Sequence, residues 1–294
     1  MERWHSTLSE RINCERFSVK GFSTLPARRV ALAWLLIALP GCAAVSQMNL
    51  LSAQQEVEIG RQAAKEVETS MPIYDDPVVA AYVDSLGQLL ARHSRRPDIK
   101  YTFKVVDTDD VNAFALPGGF LYVNRGLITT AKTEAELAGV VGHEIGHVVG
   151  HHGARQISKQ YGLAVLIELA LGGQDPSLTR DIAAQFANIG GTLALLKYGR
   201  DAEREADMFA VEETYAAGID PSGMAAFFEK LMALHESEPG GMELLFSTHP
   251  PTNERIASVR DQAAKLPPKL SLSSSSDRFI AIQKHILERR PPKP

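Results

Sequence analysis

The residues best suited to chemistry lie in the stretch VVGHEIGHVVGHHG, from Val140 to Gly153. Within it, His143, Glu144 and His147 form an HExxH pattern. On a helix, residues i and i+4 share one face, so both imidazoles can bind the same metal ion. Glu144 lies about 100° round the helix, beside that ion, where a general base can take a proton from water. The pattern predicts a zinc site that needs one further protein ligand.

Several residues are candidates for that third ligand. His151 and His152 follow the motif, but the eighth residue along a continuous helix lies about 12 Å from His143. The longer motif of some zinc proteases, which supplies a third histidine, is not present either, because Gly153 occupies the position of that third histidine. Glu168 has a suitable spacing, yet it lies in an apolar run without a supporting acid.

The remaining candidate lies in RDAEREADMFA, which begins at Arg200. Glu203 and Asp207 are i and i+4 on one helix face, so Glu203 can bind the ion while Asp207 supports a ligand histidine from behind. Glu205 points away from that face, and we expect it to be exposed to solvent. The spacing alone fits an ordinary charged helix surface better, so the residues by themselves do not assign the third ligand.

The patterns around these residues predict an α+β protein. The alternating stretch KYTFKVVDTDD, from Lys100, indicates a strand, and VNAFALPGGFLYVNRGL indicates two short strands broken at Pro117. From Thr133 onwards the chain is almost entirely helical, and Thr133 and Glu136 form a capping-box pattern before the histidine motif. Helical patterns also cover residues 52–69, 77–93, 155–171, 178–197, 200–217, 221–236 and 277–289.

The composition is ordinary for a soluble globular protein, with 45% hydrophobic and 22% charged residues among 294. The net charge is -4 and no run of Lys or Arg occurs, so we expect no nucleic-acid partner. The two cysteines, Cys14 and Cys42, both lie near the N-terminus. A metal in the folded body must therefore be bound by His, Asp or Glu.

The N-terminal residues resemble a bacterial export signal. Arg28 and Arg29 precede the apolar run VALAWLLIALPGC, which is shorter than the roughly 20 residues that a membrane span needs. The run ends in Leu-Pro-Gly-Cys, similar to a lipobox, which predicts that Cys42 becomes the lipidated first residue of the mature chain. A conventional signal peptide, or a membrane anchor with an incidental cysteine, is the alternative.

Two stretches, ELAGVVGHEIGHVVGHH and GRDAEREADMFAV, together resemble the HtpX and CAAX-prenyl-endopeptidase type of zinc metallopeptidase. Within it, they are most similar to the soluble bacterial lipoprotein branch. The resemblance implies a gluzincin with one zinc ion per chain, bound by His143, His147 and Glu203. Glu144 is then the catalytic acid/base. Arg200 matches the arginine that precedes the ligand glutamate in this family and is expected to support the site.

Two further stretches resemble segments of the same family. VNAFALPGG is similar to an edge strand that aligns an extended substrate, which implies that Asn112 and Ala113 contact substrate through their backbones. STHPPTNERI is similar to a segment whose histidine approaches the metal. His249 is then expected either to stabilise the oxyanion of the tetrahedral intermediate or to occupy the open zinc position in a latent state. A loop histidine without such a role is the alternative.

We therefore expect a mostly α-helical, zincin-like α+β fold whose small sheet has an edge strand beside the active-site helix. Residues 1–41 would form a lipoprotein signal peptide and residues 42–270 the zinc metallopeptidase domain. Residues 271–294 would contain a Ser-rich linker, a C-terminal helix and a Pro-rich tail.

The resemblance implies a zinc-dependent endopeptidase of the bacterial cell envelope. Its substrates would be unfolded or misfolded envelope proteins, and the outer-membrane assembly machinery would be a further partner. A lipid anchor at Cys42, followed by Ala43 rather than Asp, favours the outer membrane, facing the periplasm. An alternative from another class is an envelope chaperone or assembly factor with a latent metal site. A membrane-embedded prenyl protease is disfavoured because no long apolar span follows residue 42.

Overall fold

The computed structural model describes residues 49–171, 197–237, 241 and 243–289. The predicted signal peptide, Cys42 and nearly all of the predicted helix at 178–197 lie outside these described residues. The described strands are β1 (Thr102–Val106), β2 (Ala113–Leu116) and β3 (Phe120–Asn124). The described helices are α1 (Ala53–Ser70), α2 (Pro77–Arg92), α3 (Arg125–Thr130), α4 (Glu134–Val149), α5 (His152–Leu171), α6 (Arg200–Ala216), α7 (Gly223–Ser237), α8 (Glu243–Thr248), α9 (Asn253–Lys265) and α10 (Asp277–Arg289).

Side-chain caps determine where two important helices begin. Ser52 caps α1, and its side chain and that of Gln55 form a complete capping box. Thr133 caps α4 by accepting a hydrogen bond from the backbone N–H of Glu136 at 3.2 Å. The reciprocal half of the predicted box does not form, because the Glu136 carboxylate accepts the backbone N–H of Lys132 instead.

The three strands form one sheet with β3 in the centre, in the order β1-β3-β2. β1 pairs with β3 in parallel and β2 pairs with β3 in antiparallel register. The turn between β2 and β3 contains Gly118 and Gly119 at φ values of 78° and 96°, which a residue with a side chain rarely adopts. The prediction of two strands broken at Pro117 is confirmed, and β2 is an edge strand of this sheet.

Both faces of the sheet are covered, which explains why every residue of β2 is buried. Successive side chains of a strand point to opposite faces. Ala113 and Ala115 belong to the main hydrophobic core, whereas Phe114 and Leu116 belong to a second core against α1 and the start of α5. Phe114 stacks on its cross-strand partner Tyr122 with ring centroids 5.0 Å apart.

Helix α4 passes through the centre of the described body, and every residue from Ala135 to Val149 is buried. Helix α6 packs very closely against it. A Cβ atom on Gly146 would lie 2.8 Å from the backbone oxygen of Ala206, and one on Gly142 would lie 3.3 Å from the Cα of Ala210. The glycines of the histidine motif therefore allow α6 to approach the face of α4 that carries the histidines.

These elements confirm the predicted fold class, a mostly helical zincin-like α+β fold with a small sheet. The sequence analysis did not predict helices α3, α8 and α9. Within the part of the chain that the structure describes, no helix has the length and apolar character required to cross a membrane.

Candidate metal centre

Helix α4 brings His143 and His147 together as the HExxH spacing predicts. The two Nε2 atoms lie 3.0 Å apart, and both residues are buried. Their ring planes are nearly perpendicular, at 88°. Because the two rings lie one helical turn apart and converge at Nε2, both can offer a lone pair to the same point.

Glu203 reaches this point from α6 through the close helix contact at Gly146. Its carboxylate oxygens lie 3.4 Å from His143 Nε2 and 3.5 Å from His147 Nε2. Glu203 is itself buried, as expected for a ligand and not for a charged helix surface. The structure therefore brings together the three residues that the sequence analysis predicted as ligands. Glu168 lies in α5, and its side chain is outside the described residues.

His249, which directly follows α8, completes the cluster. Its Nδ1 atom lies 3.3 Å from His143 Nε2 and 3.1 Å from Glu203 Oε1. A hydrogen bond from its backbone N–H to the oxygen of Leu245 continues the turn of α8 and holds the residue at the site. His249 is therefore not an exposed loop residue, since it is buried against the other three residues of the cluster.

The size of this cluster fits a tetrahedral metal ion. The facing atoms of the four residues lie within 4.8 Å of one another. The resolved separations between them run from 3.0 to 3.5 Å. In a zinc site with ligand bonds of about 2.0–2.1 Å, tetrahedral geometry places neighbouring ligand atoms about 3.3–3.4 Å apart. Imidazole nitrogens and a carboxylate oxygen are also ligands that zinc prefers.

A carboxylate and an arginine support His143 from behind. Asp207 Oδ1 lies 2.9 Å from His143 Nδ1, as the i, i+4 spacing from Glu203 predicts. Arg255, on α9, donates to both oxygens of Asp207, at 2.8 and 2.6 Å, and its Nη1 lies 2.8 Å from Glu203 Oε2. Its guanidinium also lies over the ring of Phe228.

The sequence analysis assigned this supporting role to Arg200 and did not consider Arg255. Arg200 is exposed at the first residue of α6, whereas Arg255 is buried and contacts Glu203 directly. One signal for Arg255 was available in the sequence. It lies one turn before Val259, on the buried face of an amphipathic helix, where an arginine needs a carboxylate partner.

His151 and His152 lie outside the metal cluster, as expected, but the physical reason differs from the predicted one. The helix is not continuous, because α4 ends at Val149 with Gly150 as its C-cap, and His151 has a left-handed φ of 54°. His151 Nδ1 lies 2.6 Å from Glu56 Oε1 of α1. His152 begins α5 and turns back, so that its Nδ1 lies 2.8 Å from His147 Nδ1.

Glu205 points away from the metal cluster, as the sequence analysis predicts, but it is not simply a solvated side chain. Its carboxylate lies 3.1 Å from His152 Nε2 and 3.1 Å from Arg155 Nη1, and the side chain is 36% exposed. Burial lowers the pKa of His152, although Glu205 opposes this effect. The neutral form of the buried ring is therefore favoured.

Buried charges make the cluster suitable for a cation. Burial raises the pKa of Glu203, but the nearby His249 and His143 outweigh this and hold it well below its usual range. Burial lowers the pKa of His143, yet contacts with Asp207 and Glu203 raise it to about 9 in the absence of a metal. Burial, together with the charge of His143, lowers the pKa of His147 well below its usual range. The site thus holds an ionised carboxylate and one neutral imidazole.

A family model described as Peptidase family M48 matches residues 77–263, more than half of the chain, and these residues include all four members of the cluster. The chain belongs to peptidase family M48. Membership confirms the predicted class of enzyme, a metallopeptidase.

Several M48 relatives are similar over most of this chain. The Beta-barrel assembly-enhancing protease of Escherichia coli (strain K12) is 32% identical over 240 residues, which are 79% of this chain and 48% of that protein. Metalloprotease LoiP of the same strain is 31% identical over 219 residues, 74% of this chain and 83% of LoiP. Mitochondrial metalloendopeptidase OMA1 of Schizosaccharomyces pombe is 28% identical over 220 residues, 73% of this chain and 63% of OMA1. The chain spans about half the length of the assembly-enhancing proteases that it matches.

Glu144 of this M48 chain lies beside the cluster and is buried. Its Oε1 atom lies 3.6 Å from His249 Nε2. Burial raises the pKa of its carboxyl group, while the charges of His249 and His143 and a backbone hydrogen bond from Ala115 lower it in part. A carboxyl group with a raised pKa can both accept and release a proton near neutral pH.

The edge strand β2 runs next to α4 at this point, and it includes the expected substrate-contacting residue Ala113. Ala113 pairs with Val123 of β3, and the backbone oxygen of Asn112 accepts the N–H of Asn124 at 2.9 Å. Both residues are buried, and the backbone oxygen of Asn112 is directed toward β3. Because hydrogen-bonded pairs alternate along an antiparallel ladder, the backbone groups of Ala113 are directed to the opposite edge. The opposite edge of β2 is on the side of Glu144, whose carboxylate accepts the hydrogen bond from Ala115.

Proposed function

We propose that this M48 chain is a zinc-dependent endopeptidase with His143, His147 and Glu203 as the zinc ligands and Glu144 as the catalytic acid/base. The observation that supports this most strongly is the tetrahedral spacing of buried imidazole and carboxylate atoms directly beside a buried glutamate of raised pKa. Asp207 and Arg255 orient His143 and Glu203 from behind. We assign Arg200 no part in this network.

His143, His147 and Glu203 would hold the zinc ion, which when bound would act as a Lewis acid that polarises the scissile carbonyl and lowers the pKa of water. Glu144 accepts a proton from the attacking water and passes it to the leaving amine. Its burial excludes bulk solvent, which would otherwise compete for the same proton. Main-chain groups of the substrate pair with the free edge of β2, and the Asn112–Ala113 segment positions that strand.

His249 gives this centre two candidate states. With His249 in place, four protein atoms surround the centre, which is the closed arrangement of a structural site, whereas catalytic zinc keeps an open position. We propose that the described arrangement is a latent state and that His249 leaves the centre when substrate binds. Stabilisation of the oxyanion by His249 is the alternative, since its Nε2 atom lies close to Glu144.

We further propose that this enzyme acts in the bacterial cell envelope. We also propose that it belongs to the lipoprotein branch of HtpX-type peptidases. Residues 1–41 would be the signal peptide, residues 42–270 the peptidase domain, and residues 271–294 a linker, a C-terminal helix and a tail. Lipidation at Cys42 would anchor the chain to the outer membrane, facing the periplasm. Replacement of Cys42 by Ser should abolish fatty-acid labelling, and labelling that persists would contradict the anchor.

The substrates would be unfolded or misfolded envelope proteins. A relative at 32% identity bears the name Beta-barrel assembly-enhancing protease, which supports a connection with the outer-membrane assembly machinery. The closed arrangement at His249 favours a second function, a chaperone or assembly factor whose metal site is latent. Complementation of an envelope-stress phenotype by the Glu144→Gln variant would favour the second function over the first.

The Glu144→Gln variant tests the peptidase directly. It retains the metal ligands and the shape of the side chain but removes the base, so cleavage of an unfolded protein should fall by about 10²–10⁴-fold. Glu134→Gln, the same change in the first turn of the same helix, is the matched control and should cleave at the wild-type rate. A Glu144→Gln protein that cleaves at the wild-type rate would overturn the proposal.

A further inference from the structure

The second zinc ligand of the HExxH motif has its own supporting chain of residues. His147 Nδ1 lies 2.8 Å from His152 Nδ1, and His152 Nε2 lies 3.1 Å from Glu205 Oε2. Arg155 donates to the same carboxylate oxygen at 3.1 Å. The three side chains therefore connect His147 to a groove of about 220 Å³, which is lined by His152, Arg155 and Glu205 together with Tyr198 and Lys159.

The positions of the hydrogen atoms in this chain follow from the atom of His147 that faces the centre. Nε2 of His147 lies near His143 Nε2 and Glu203, so Nε2 offers its lone pair to the metal and Nδ1 carries the hydrogen. This hydrogen can be donated only if His152 Nδ1 accepts it. A neutral His152 then carries its own hydrogen on Nε2, which faces the Glu205 carboxylate.

The ring of His152 is placed closely against the end of α4. His152 is buried, and a Cβ atom on Gly150 would lie 2.5 Å from its Nε2 atom, so a glycine is needed for the ring to turn back. Tyr198 stacks on the ring of His147, with centroids 4.2 Å apart and planes at 25°. His147 is therefore held by an aromatic ring and by a hydrogen-bond acceptor.

The two ligand histidines have the same kind of support. His143 contacts Asp207, and Arg255 binds that carboxylate. His147 contacts His152, which contacts Glu205, and Arg155 binds that carboxylate. In each case an imidazole is linked to a carboxylate that an arginine holds in place, with one additional imidazole on the side of His147.

On the basis of the proposed zinc site, we infer that His152 and Glu205 are positioning residues that fix the tautomer and the ring orientation of His147. Partners of this kind strengthen the ligand and commonly change metal affinity by about 10–100-fold when removed. His152→Leu should lose this support while it fills the same space. His152→Asn should retain part of it, because its amide oxygen takes nearly the position of the ring Nδ1 and can accept from His147 Nδ1, whereas the shorter amide loses the contact with Glu205.

The test is zinc affinity, measured on the full chain by competition with a chromophoric chelator. His152→Leu and Glu205→Ala should each weaken zinc binding by about 10–100-fold, Glu205→Gln should recover most of the loss, and His152→Asn should recover part of it. Glu212→Gln is the matched control, because Glu212 pairs with Arg95 on the exposed surface of the same helix. The visible spectrum of the cobalt-substituted protein should change with His152→Leu and stay unchanged with Glu212→Gln.

The outcomes separate this inference from the proposed site. If the wild type binds zinc and the His143→Ala variant does not, the result supports the proposed site itself. If the wild type binds zinc while His152→Leu and Glu205→Ala bind it equally well, the positioning role is overturned and the site stands. A wild-type protein that binds no zinc overturns both. If Leu and Asn at position 152 weaken binding equally, the role of the ring as a hydrogen-bond acceptor is overturned.

Discussion

Arg255 binds Asp207 through two parallel hydrogen bonds, from Nε at 2.8 Å and from Nη2 at 2.6 Å, and both residues are buried. This planar pairing leaves Nη1 free to contact Glu203 at 2.8 Å. A single guanidinium therefore fixes a carboxylate behind His143 and a carboxylate in the metal cluster at the same time. Helix α9, which follows the cluster in sequence, is thus a structural part of the centre.

The first prediction concerns this guanidinium. Arg255→Lys keeps the charge but cannot form the two parallel bonds, so both Glu203 and Asp207 lose their fixed orientation. Zinc affinity should fall by about 10–100-fold, as measured by chelator competition. Arg260→Lys, on the exposed face of the same helix and paired with Glu229, should bind zinc as the wild type does. Equal affinity for the two variants would contradict the role of Arg255.

The second prediction concerns His249. If His249 occupies the fourth position in a latent state, His249→Ala should open the centre and raise the rate of cleavage of an unfolded protein. Zinc should still be bound by the remaining three ligands. A fall of about 10²–10³-fold in kcat with zinc retained would instead identify His249 as an oxyanion stabiliser.

The third prediction concerns the contact between α4 and α6. A Cβ atom on Gly146 would lie 2.8 Å from the backbone oxygen of Ala206 on α6, the helix that carries Glu203, so the two helices must move apart to accept it. Gly146→Ala should therefore lower the free energy of unfolding by about 1–3 kcal/mol and weaken zinc binding. Gly199→Ala is the control, because a Cβ atom there would meet no atom within 4 Å. Denaturant titration of both variants would show whether they differ.

The fourth prediction concerns pH. Glu213 is buried on α6, and among the described residues neither of its oxygens has a hydrogen-bond partner. Burial, and secondarily the charge of Glu212, raise its pKa well above the usual value of 4.5. Because the pKa of Glu213 is raised in the folded state, its contribution to the free energy of unfolding is fully present below about pH 4.5. That contribution is lost as the pH rises toward the folded-state pKa.

Glu213→Gln removes this titration, so its free energy of unfolding should exceed that of the wild type by an amount that grows as the pH rises above about 4.5. The slope of the difference should approach about 1.4 kcal/mol per pH unit while one proton is lost. Denaturant titrations at a series of pH values measure it, with Glu229→Gln, a change of an exposed carboxylate paired with Arg260, as the surface control. A difference that does not change with pH would mean that Glu213 titrates normally.

The sequence predicted much of the fold because its signals are local. The cap at Thr133, the break at Pro117–Gly119 and the i, i+4 histidines each depend on a few neighbouring residues, and each is present in the structure. The short helix α8 could not be predicted in this way. Its six residues carry too little periodicity, and tertiary packing determines its position.

The supporting residues of the site were harder to predict than the ligands. Arg255 and Glu203 are far apart in sequence, and only the packing of α9 against α6 brings them together. His152 was excluded as a ligand on the assumption of a continuous helix, but the break at His151 turns it back toward His147. Neither relationship follows from the spacing of residues, because each depends on how two helices meet.

The zinc content of the purified full chain tests the central claim most directly. The wild type should contain about one zinc ion per chain, since one tetrahedral set of ligands is present among the described residues. Glu203→Ala, which removes a ligand from α6, should lose that zinc, and Glu212→Ala on the same helix should retain it. A Glu203→Ala protein that retains the wild-type amount of zinc would contradict the account.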